Sequence, residues 1–163
     1  MRVEKAGIAD IGELTELRLE YLAEDHGSLE DTDAERIRNA LPGYFRDHLN
    51  RDLFAYVIRE EGTIVSCAFL LIVMKPMSPA FINGKTAAVL NVFTRPSCRR
   101  RGYAKTVMDA LMADAGEKDV AVVELKATED GYALYRSAGF ADDRSKYRLM
   151  KWKPQPESGR GTG

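Results

Sequence analysis

The sequence predicts a mixed α/β fold in a single domain, and three observations lead to this prediction. Helical segments, with apolar residues at i, i+3 and i+4, are interspersed with short strand-like runs of apolar or alternating residues. A hairpin signal separates two of the strand patterns in the first half of the chain. Near the middle, a strand runs into a glycine-containing turn, a helix and another strand, which is a building unit of α/β domains.

The N-terminal half is predicted to contain a short strand, two helices and a β-hairpin. Asp10 and Glu13 lie three residues apart at the start of an apolar helical stripe, which is a capping-box pattern. Pro42 and Gly43 predict a break or kink in the second helix. Residues 60–62, Glu-Glu-Gly, are the hairpin signal. We expect the order strand 3–6, helix from residue 10, helix 33–49, strand 53–59 and strand 63–74.

The C-terminal half is predicted to alternate strands and helices after a loop that contains proline and glycine. The helix that follows Gly102 has the clearest apolar stripe, and Gly116 provides its stop signal. We expect the order loop 75–85, strand 86–94, helix between Gly102 and Gly116, strand 120–127, helix 130–137 and an alternating strand 147–152. The predicted domain is 1–153, and residues 154–163 are expected to form a disordered tail.

Composition and charge argue against several classes of protein. The formal net charge of −1 disfavours a nucleic-acid-binding domain, which usually carries an excess of basic residues. The longest apolar run, 64–74, is shorter than the roughly 20 residues of a membrane helix, and the N-terminus lacks the apolar core of a signal peptide. Cys67 and Cys98 are too few for a disulfide framework or a metal site. We therefore expect a cytoplasmic enzyme or binding domain without a metal and without membrane or nucleic-acid partners.

Five cations are concentrated in residues 95–105, the basic segment, which contains no carboxylate. The segment leads into the helix after Gly102, so free backbone N–H groups and the helix dipole favour an anion there. Gly102 has no Cβ to keep a ligand away from the backbone, and Ala104 keeps the first helical turn open. The pattern predicts a polyphosphate site, although a solvated basic loop would carry the same charges.

The basic segment lacks the first two glycines of a dinucleotide-binding fingerprint, and it does not match a Walker loop. It resembles the Arg/Gln-x-x-Gly-x-Gly/Ala motif of the GNAT superfamily of acetyl-CoA-dependent N-acetyltransferases, written here Arg99-Arg100-Arg101-Gly102-Tyr103-Ala104. A second block of that family, a Leu-Tyr pair followed by Gly-Phe, is matched by Leu134-Tyr135 and Gly139-Phe140. Both blocks keep the family's order and spacing, and the resemblance covers about residues 2–152.

The resemblance implies a GNAT-like fold, with a mixed, mostly antiparallel central sheet flanked by helices. A splayed pair of parallel strands, ending at Thr94 and Ala127, would form the cleft for the co-substrate, acetyl-CoA. The pantetheine arm would bond the backbone of the first strand, and the pyrophosphate would lie over the basic segment. The implied cofactor-binding residues are Val92, Phe93, Thr94, Arg99, Arg100, Arg101, Gly102, Tyr103, Ala104 and Lys105.

The resemblance also implies the reaction, which is acetyl transfer from acetyl-CoA to a primary amine by direct attack in a ternary complex. A backbone N–H near Val92 or Phe93 is the implied oxyanion donor. Tyr135 is the implied catalytic residue, a general acid for the departing thiolate, because an ordinary tyrosine is protonated at neutral pH. The alternative role for Tyr135 is an amphipathic core residue whose hydroxyl only reaches water.

The acceptor side of the site is less well defined. Strand 87–94 contains no carboxylate, so no general base is assigned, and Glu124, His26 or a chain of waters could each take the proton. Acidic residues in the segment 24–31 favour a cationic acceptor. A rim arginine with a packed stem is the alternative role for Arg18. The residues expected to contact the acceptor are Arg18, Tyr21 and Asn91.

Two function classes other than catalysis stay open. The chain could be a non-catalytic module that binds an acyl-CoA as a sensor or docks a partner, and an intact Tyr135 disfavours this class. It could also be an interaction domain without a cofactor, which the five cations of the basic segment disfavour. For an enzyme, the acceptor amine could belong to a small molecule, a peptide N-terminus or a protein lysine. A homodimer is compatible with the family resemblance.

Overall fold

The computed structural model describes residues 1–155, which form one sheet with helices on both of its faces. Short 3-10 turns at Ile8–Asp10 and Pro96–Cys98 come before α1 and α3. In chain order the strands and helices are β1 Val3–Lys5, α1 Ile11–Asp25, α2 Asp31–His48, β2 Leu53–Glu60, β3 Thr63–Met74, β4 Lys85–Thr94, α3 Tyr103–Glu117, β5 Val122–Glu124 and α4 Glu129–Ser137. This order confirms the predicted mixed α/β fold.

The five strands are hydrogen-bonded in the order β1-β2-β3-β4-β5, and neighbours among the first four are antiparallel. β4 and β5 are parallel, so the sheet is mostly antiparallel, as predicted. Their pairing runs from Thr86↔Val122 to Ala88↔Glu124 and then stops, although β4 continues to Thr94. Residues 89–94, the open edge of β4, are therefore unpaired on the β5 side. This opening is the splayed pair of parallel strands that the resemblance implied.

Two apolar cores lie on the two faces of the sheet, because alternate side chains of a strand point to opposite sides. On one face, α1 and α2 cover Ala55 and Val57 of β2. On the other face, α3 covers Tyr56 and Ile58 of the same strand. All four side chains are buried, so both faces of β2 belong to a core. This burial explains the continuous apolar runs in the sequence, since a strand covered on both faces does not alternate.

The start of α1 differs from the predicted capping box. The Asp10 side chain accepts a hydrogen bond from the Gly7 N–H at 2.9 Å, within the preceding 3-10 turn, and does not cap α1. The Glu13 side chain accepts from the Ile64 N–H on β3. The Arg59 guanidinium lies 2.7 Å from the Asp10 carboxylate and 3.9 Å from that of Glu13. The capping-box prediction is wrong because partners on β2, on β3 and in the preceding turn take both carboxylates.

α2 begins two residues before the predicted start and runs through Pro42 to His48 without a break. Pro42 has no backbone N–H, so α2 lacks one helical hydrogen bond at this position. The next turn is nevertheless held against the sheet by the side chain of Phe45. Phe45 is buried and packs edge-to-face on Phe69, with ring centroids 5.9 Å apart. Of the predicted break or kink, the break is therefore wrong. The strand predicted at 120–127 is also shorter than expected, since β5 contains only Val122–Glu124.

The C-terminal segment, residues 147–152, does not form the predicted strand. Its large apolar side chains are between 76% and 86% exposed. These side chains are Tyr147, Leu149, Met150 and Trp152. The prediction is wrong because alternation supplies only a propensity, and a strand also needs a neighbouring strand to satisfy its backbone. Most of the predicted tail, 154–163, lies outside the described residues.

A polar cluster around Asp114 ties α3 to the sheet. The Tyr56 hydroxyl donates a hydrogen bond to the Asp114 carboxylate, and the Lys5 and Lys118 ammonium groups lie 3.0 and 3.1 Å from it. Burial acts to raise the pKa of Asp114, but the hydrogen bonds from these three groups hold that pKa below its usual value. Burial raises the pKa of Tyr56. The cluster fixes the C-terminal half of α3 on the sheet, so the direction of its N-terminus is set as well.

Residues 1–155 include no helix that is both long and apolar enough to cross a membrane. In the same part of the chain, no group of three or more His, Cys, Asp or Glu side chains is placed to hold a metal ion. Cys67 and Cys98 are buried free thiols. Burial raises the pKa of the Cys67 thiol to about 12, so this side chain is a neutral part of the core.

Candidate active site

A β-bulge in β4 brings two of the predicted acceptor residues together. Cys67 of β3 pairs with Phe93, whereas Phe69 pairs with Leu90, so β4 has one extra residue in this interval. Asn91 has a positive φ of 55° there, and its side chain is only 2% exposed. The Arg18 Nη1 on α1 donates a hydrogen bond to Asn91 Oδ1 at 3.1 Å. Arg18 and Asn91 therefore share one polar contact at the bulge.

The open edge of β4 offers its backbone, because the side chains that follow the bulge are directed into the protein. Phe93 is buried and packs edge-to-face on Tyr21, with ring centroids 6.3 Å apart. The Thr94 hydroxyl hydrogen-bonds the Ser66 hydroxyl at 2.8 Å. Val92 is half-buried against the core under α3. The three predicted pantetheine-binding residues thus lie beside the gap between β4 and β5, where an extended amide ligand could pair with the strand.

The N-terminus of α3 has the geometry that an anionic ligand needs. Gly102 adopts the left-handed conformation, with φ 80° and ψ 10°, and no neighbouring atom lies within 4 Å of where a Cβ would be. The Thr106 N–H makes a helical bond to the Gly102 carbonyl at 3.1 Å. The N–H groups of Tyr103, Ala104 and Lys105 precede it and have no acceptor within the helix. This arrangement fits the pyrophosphate of acetyl-CoA, because open space adjoins free donors at the positive end of a helix.

The arginines of the basic segment are paired with carboxylates from other elements. Arg99 binds Glu24 of α1 at 2.6 Å and donates from Nε to the Thr94 carbonyl at 2.8 Å. Arg101 lies 3.2 Å from Glu60 at the end of β2. The remaining pairs are Arg95 with Glu20 at 3.6 Å and Lys105 with Asp109 at 3.1 Å. Arg100 is exposed and has no ion pair within the described part of the chain.

Glu60 was not predicted as a site residue, since the sequence marks it only as part of a hairpin turn. Its carboxylate accepts a hydrogen bond from the Tyr103 hydroxyl and also contacts Arg101. The Tyr103 hydrogen bond, followed by the charge of Arg101, lowers the pKa of Glu60 below its usual value. Glu60 is therefore an anion at neutral pH. It contacts Arg101 and Tyr103, the same side chains that the predicted phosphate ligand would use.

The predicted general acid, Tyr135, is held on α4 by close packing. Its ring packs edge-to-face on Phe140, with centroids 6.2 Å apart. Gly131 lies one turn earlier, and a Cβ there would be 2.8 Å from the Tyr135 ring, so only glycine leaves room for it. The Tyr135 hydroxyl makes no hydrogen bond within residues 1–155. Burial, with a smaller contribution from Tyr21, raises the pKa of Tyr135, so the hydroxyl is protonated and free to donate at neutral pH.

Neither side chain considered as a general base is brought into this arrangement. Glu124 ends β5 and is exposed. His26 follows α1, is exposed, and lies 3.9 Å from Asp25. Neither makes a hydrogen bond to Asn91 or Tyr135. The proton-accepting role thus has no side chain assigned to it.

A cavity of about 280 Å³ lies between α1 and α2, beside Arg18. Its lining residues are Arg18, Leu22, Ile37, Ala40, Leu41 and Tyr44. The Arg18 guanidinium also lies 5.5 Å from the centre of the Tyr21 ring, so the three predicted acceptor residues are neighbours. The sequence did not single out the lining residues of α2, because apolar side chains at helical spacing indicate a core face. We call this space the α1–α2 cavity.

Comparison with known proteins gives one family match. A model of the Acetyltransferase (GNAT) family matches residues 13–140, which include most of α1, the basic segment and Tyr135. No curated protein matches the chain in sequence. The match extends over more than half of the chain and includes both blocks that carried the resemblance.

Solved structures with the same fold include a predicted acetyltransferase from Clostridium acetobutylicum, in a crystal structure with acetyl-CoA. It is 27% identical, with a TM-score of 0.79, and the alignment covers 91% of this chain and 95% of that one. A GCN5-related N-acetyltransferase from Ralstonia eutropha JMP134 is 23% identical, with a TM-score of 0.69 and coverage of 91% and 97%. Glucosamine-6-phosphate N-acetyltransferase from Arabidopsis thaliana is 19% identical, with a TM-score of 0.68 and coverage of 93% and 97%. The last two similarities show the fold alone.

Proposed function

The chain belongs to the GNAT family of acetyltransferases, whose co-substrate is acetyl-CoA, and we propose that it transfers the acetyl group to a primary amine. The observation that carries this proposal is the meeting of two features. The open edge of β4 leads directly into the free N-terminus of α3, and Tyr135 packs against the same buried core as Val92 of that edge. An extended ligand with a phosphate end and a reactive thioester end matches this arrangement.

In the proposed complex, the protein acts first by holding two reactants. The N–H groups at the start of α3 bind the pyrophosphate, and the backbone of the open edge of β4 binds the pantetheine amides. Acetyl-CoA supplies an already activated thioester, so a neutral amine can attack it without a covalent enzyme intermediate. Orientation of the two reactants then lowers the barrier, because a bimolecular step becomes effectively unimolecular.

Tyr135 and the backbone of β4 supply the remaining chemistry in this proposal. A backbone N–H at Val92 or Phe93 donates to the oxyanion that forms as the amine adds to the carbonyl carbon. The new C–N bond forms, the C–S bond breaks, and the Tyr135 hydroxyl donates its proton to the departing thiolate. The excess proton of the amine passes to water, and water returns a proton to the Tyr135 phenolate, because neither Glu124 nor His26 contacts Asn91 or Tyr135 within residues 1–155.

A non-catalytic acyl-CoA-binding module is the second candidate function. It would need the open edge of β4 and the N-terminus of α3, but it would have no use for a free hydroxyl held beside them. Tyr135 packs against the same core as Val92, its hydroxyl makes no hydrogen bond within residues 1–155, and Gly131 leaves room for its ring. This packing favours the enzyme over the sensor.

The test of the proposed function combines binding and turnover. A calorimetric titration with acetyl-CoA should show saturable binding, with desulfo-CoA and ADP as controls for the contributions of the thiol and the nucleotide. Release of free thiol in the presence of a panel of amines would then establish catalysis. Binding without thiol release from any amine would favour the sensor, and absence of binding would overturn both candidates.

Glu60→Gln is expected to make the protein bind acetyl-CoA more tightly. The Glu60 carboxylate competes with the phosphates for Arg101 and Tyr103, so its neutralisation should strengthen binding about two- to five-fold, as for a partly exposed ion pair. Calorimetric titration measures the change. Glu61→Gln is the matched control, because Glu61 is the exposed neighbour with the same charge. An equal gain in the control, or weaker binding in Glu60→Gln, would show that Glu60 does not compete.

We also propose that the protein is a homodimer, because an apolar segment and a cavity at the edge of the sheet are both left uncovered in one chain. One is the C-terminal segment, whose four large apolar side chains are exposed. The other is a cavity of about 360 Å³ next to β5, the last strand of the sheet. Its lining includes Met112, Ala115, Val120, Val123, Phe140 and Ala141. Two copies related by a two-fold axis could each place their C-terminal segment against the other's β5, which would cover both surfaces.

Light scattering after size-exclusion chromatography tests this arrangement. The wild-type protein is expected at the mass of a dimer, and the double variant Leu149→Ser/Trp152→Ser at the mass of a monomer. The control is Met77→Ser/Ile82→Ser, which removes two exposed apolar side chains from the loop before β4 and should leave a dimer. A monomeric wild-type protein at all concentrations would overturn the proposed dimer.

A further inference from the structure

We propose that the acceptor is an α-amino acid with an apolar side chain, and that Arg18 binds its carboxylate. This inference rests on the proposed function and narrows it from any primary amine to one chemical class. It concerns the α1–α2 cavity and the Arg18–Asn91 contact, which the acetyl-CoA site does not use.

Arg18 differs from the comparable arginines of the protein in lacking an ion pair. In residues 1–155, three arginines are half-buried rather than exposed: Arg18, Arg59 and Arg95. Arg59 is paired with Glu4 and Asp10, and Arg95 is paired with Glu20. No carboxylate among the described residues lies within ion-pair distance of Arg18. A partly desolvated guanidinium without an anion is costly, so this position favours an anionic ligand.

The guanidinium of Arg18 is oriented by neutral groups that leave most of its donors free. Nη1 donates to Asn91 Oδ1 at 3.1 Å, and the guanidinium lies 5.5 Å from the centre of the Tyr21 ring. Asn91 is itself fixed by the bulge and by its contact with the Cys67 sulfur at 3.5 Å. Arginine has five N–H donors in a planar fork, so a carboxylate can still bind in the bidentate manner.

The position of Arg18 relative to the proposed reaction site limits the spacing within the acceptor. Its partner, Asn91, is followed directly in the chain by Val92, one of the two proposed oxyanion donors. Consecutive Cα atoms are about 3.8 Å apart, so the Arg18 contact and this proposed donor belong to adjacent residues of β4, which favours an acceptor whose carboxylate is near its amine. An α-amino acid, in which one carbon joins the two groups, satisfies this condition.

The α1–α2 cavity supplies a place for the side chain of that amino acid. Four of its six lining residues are aliphatic, and Arg18 is the only charged one. The acidic residues that predicted a cationic acceptor do not line this cavity. Glu24, one of them, is paired with Arg99 instead. The cavity therefore favours an apolar side chain over a basic one.

The experiment compares matched amines in the thiol-release assay with the full-length protein. The series consists of L-leucine, L-methionine and L-phenylalanine, the amide of each, and isopentylamine, which lacks the carboxylate of leucine. At least one of the three amino acids should have a kcat/KM at least about ten-fold above that of its amide, as expected for a charge-assisted pair. In Arg18→Gln this preference should disappear through a higher KM for the amino acid. Arg36→Gln, an exposed arginine of α2, is the control and should keep it.

Binding provides a second readout that does not depend on turnover. With CoA at saturation, N-acetyl-L-leucine, N-acetyl-L-methionine and N-acetyl-L-phenylalanine are titrated against their amides by calorimetry. At least one of the carboxylates should bind at least about ten-fold more tightly than its amide, and Arg18→Gln should abolish the difference. The inference would be overturned if each carboxylate bound as tightly as its amide, or if each amino acid had the same kcat/KM as its amide. Titration of the wild-type protein with acetyl-CoA distinguishes failure of this inference from failure of the proposed function. Absence of acetyl-CoA binding would overturn the proposed function itself.

Discussion

Replacing Tyr135 with phenylalanine is expected to lower kcat at least about 100-fold, the usual contribution of a positioned general acid. The side chain is half-buried, and its hydroxyl makes no hydrogen bond within residues 1–155 and is protonated at neutral pH, so its removal takes away the proton that the departing thiolate would receive. The ring and its packing on Phe140 remain, so acetyl-CoA affinity should stay within about two-fold, a change well below 1 kcal/mol. Thiol-release kinetics and calorimetry measure the two quantities.

Tyr132 provides the control for this substitution on the same helix. It is 43% exposed, and its hydroxyl donates a hydrogen bond to Asp142 at 3.0 Å, away from the core. Tyr132→Phe should leave kcat unchanged. If the two variants lost activity equally, the effect would come from α4 as a whole, and Tyr135 would be a core residue only.

The pH dependence of kcat in the wild-type enzyme should follow the protonation of the Tyr135 hydroxyl. Burial raises the pKa of Tyr135 above its ordinary value of about 10, so the acid form persists through neutral and mildly alkaline pH. A general acid is active while protonated, and therefore the midpoint of the alkaline loss of kcat should lie above about pH 10. Tyr135→Phe should lack this alkaline limb. A wild-type loss of kcat near pH 8 would assign the proton donor to another group.

Gly102→Val is expected to weaken acetyl-CoA binding about 100-fold, which corresponds to about 2.7 kcal/mol. Gly102 has a φ of 80°, which costs a β-branched residue about 1–3 kcal/mol. The turn would move to relieve this strain, and the N–H groups at the start of α3 would no longer converge on the phosphates. A side chain would also enter the open space that adjoins the glycine. Calorimetric titration with acetyl-CoA gives the affinity of the variant.

Gly62→Val is the control that distinguishes the effect of backbone strain from the loss of the phosphate site at Gly102. Gly62 also has a φ of 80° with nothing within 4 Å of a Cβ, but it lies in the β2–β3 hairpin. Both variants should lose similar stability in urea unfolding, whereas only Gly102→Val should lose acetyl-CoA. Normal acetyl-CoA affinity in Gly102→Val would mean that the phosphates do not bind at this turn.

Local patterns were sufficient to predict most of the elements. The apolar stripe of α3 and the hairpin at Glu61 and Gly62 depend on residues close together in the chain, and both were predicted correctly. The left-handed conformation of Gly102 was not predicted, because the sequence indicated only that a residue without a Cβ lets a ligand approach the backbone there. The family resemblance supplied the splayed pair of β4 and β5, which no local pattern contains.

Two of the predictions that failed were reversed mainly by contacts with other elements of the fold. Asp10 and Glu13 have the capping-box spacing, but Gly7, Arg59 and Ile64 take their carboxylates. Pro42 is a helix breaker by propensity, yet α2 continues because Phe45 packs on β3. A propensity is worth at most a few kcal/mol, so packing and ion pairs of similar size can reverse it.

The sequence by itself therefore determined the mixed fold, the basic segment at the N-terminus of α3 and the tyrosine of α4, because each depends on local periodicity or a contiguous motif. Only the tertiary structure decided which carboxylates face the basic segment, since Glu24 and Glu60 reach it from α1 and β2. It also decided that Arg18 meets Asn91, 73 residues further along the chain, rather than an acid. Charge pairing and burial depend on distances in space, which the order of residues along a chain does not contain.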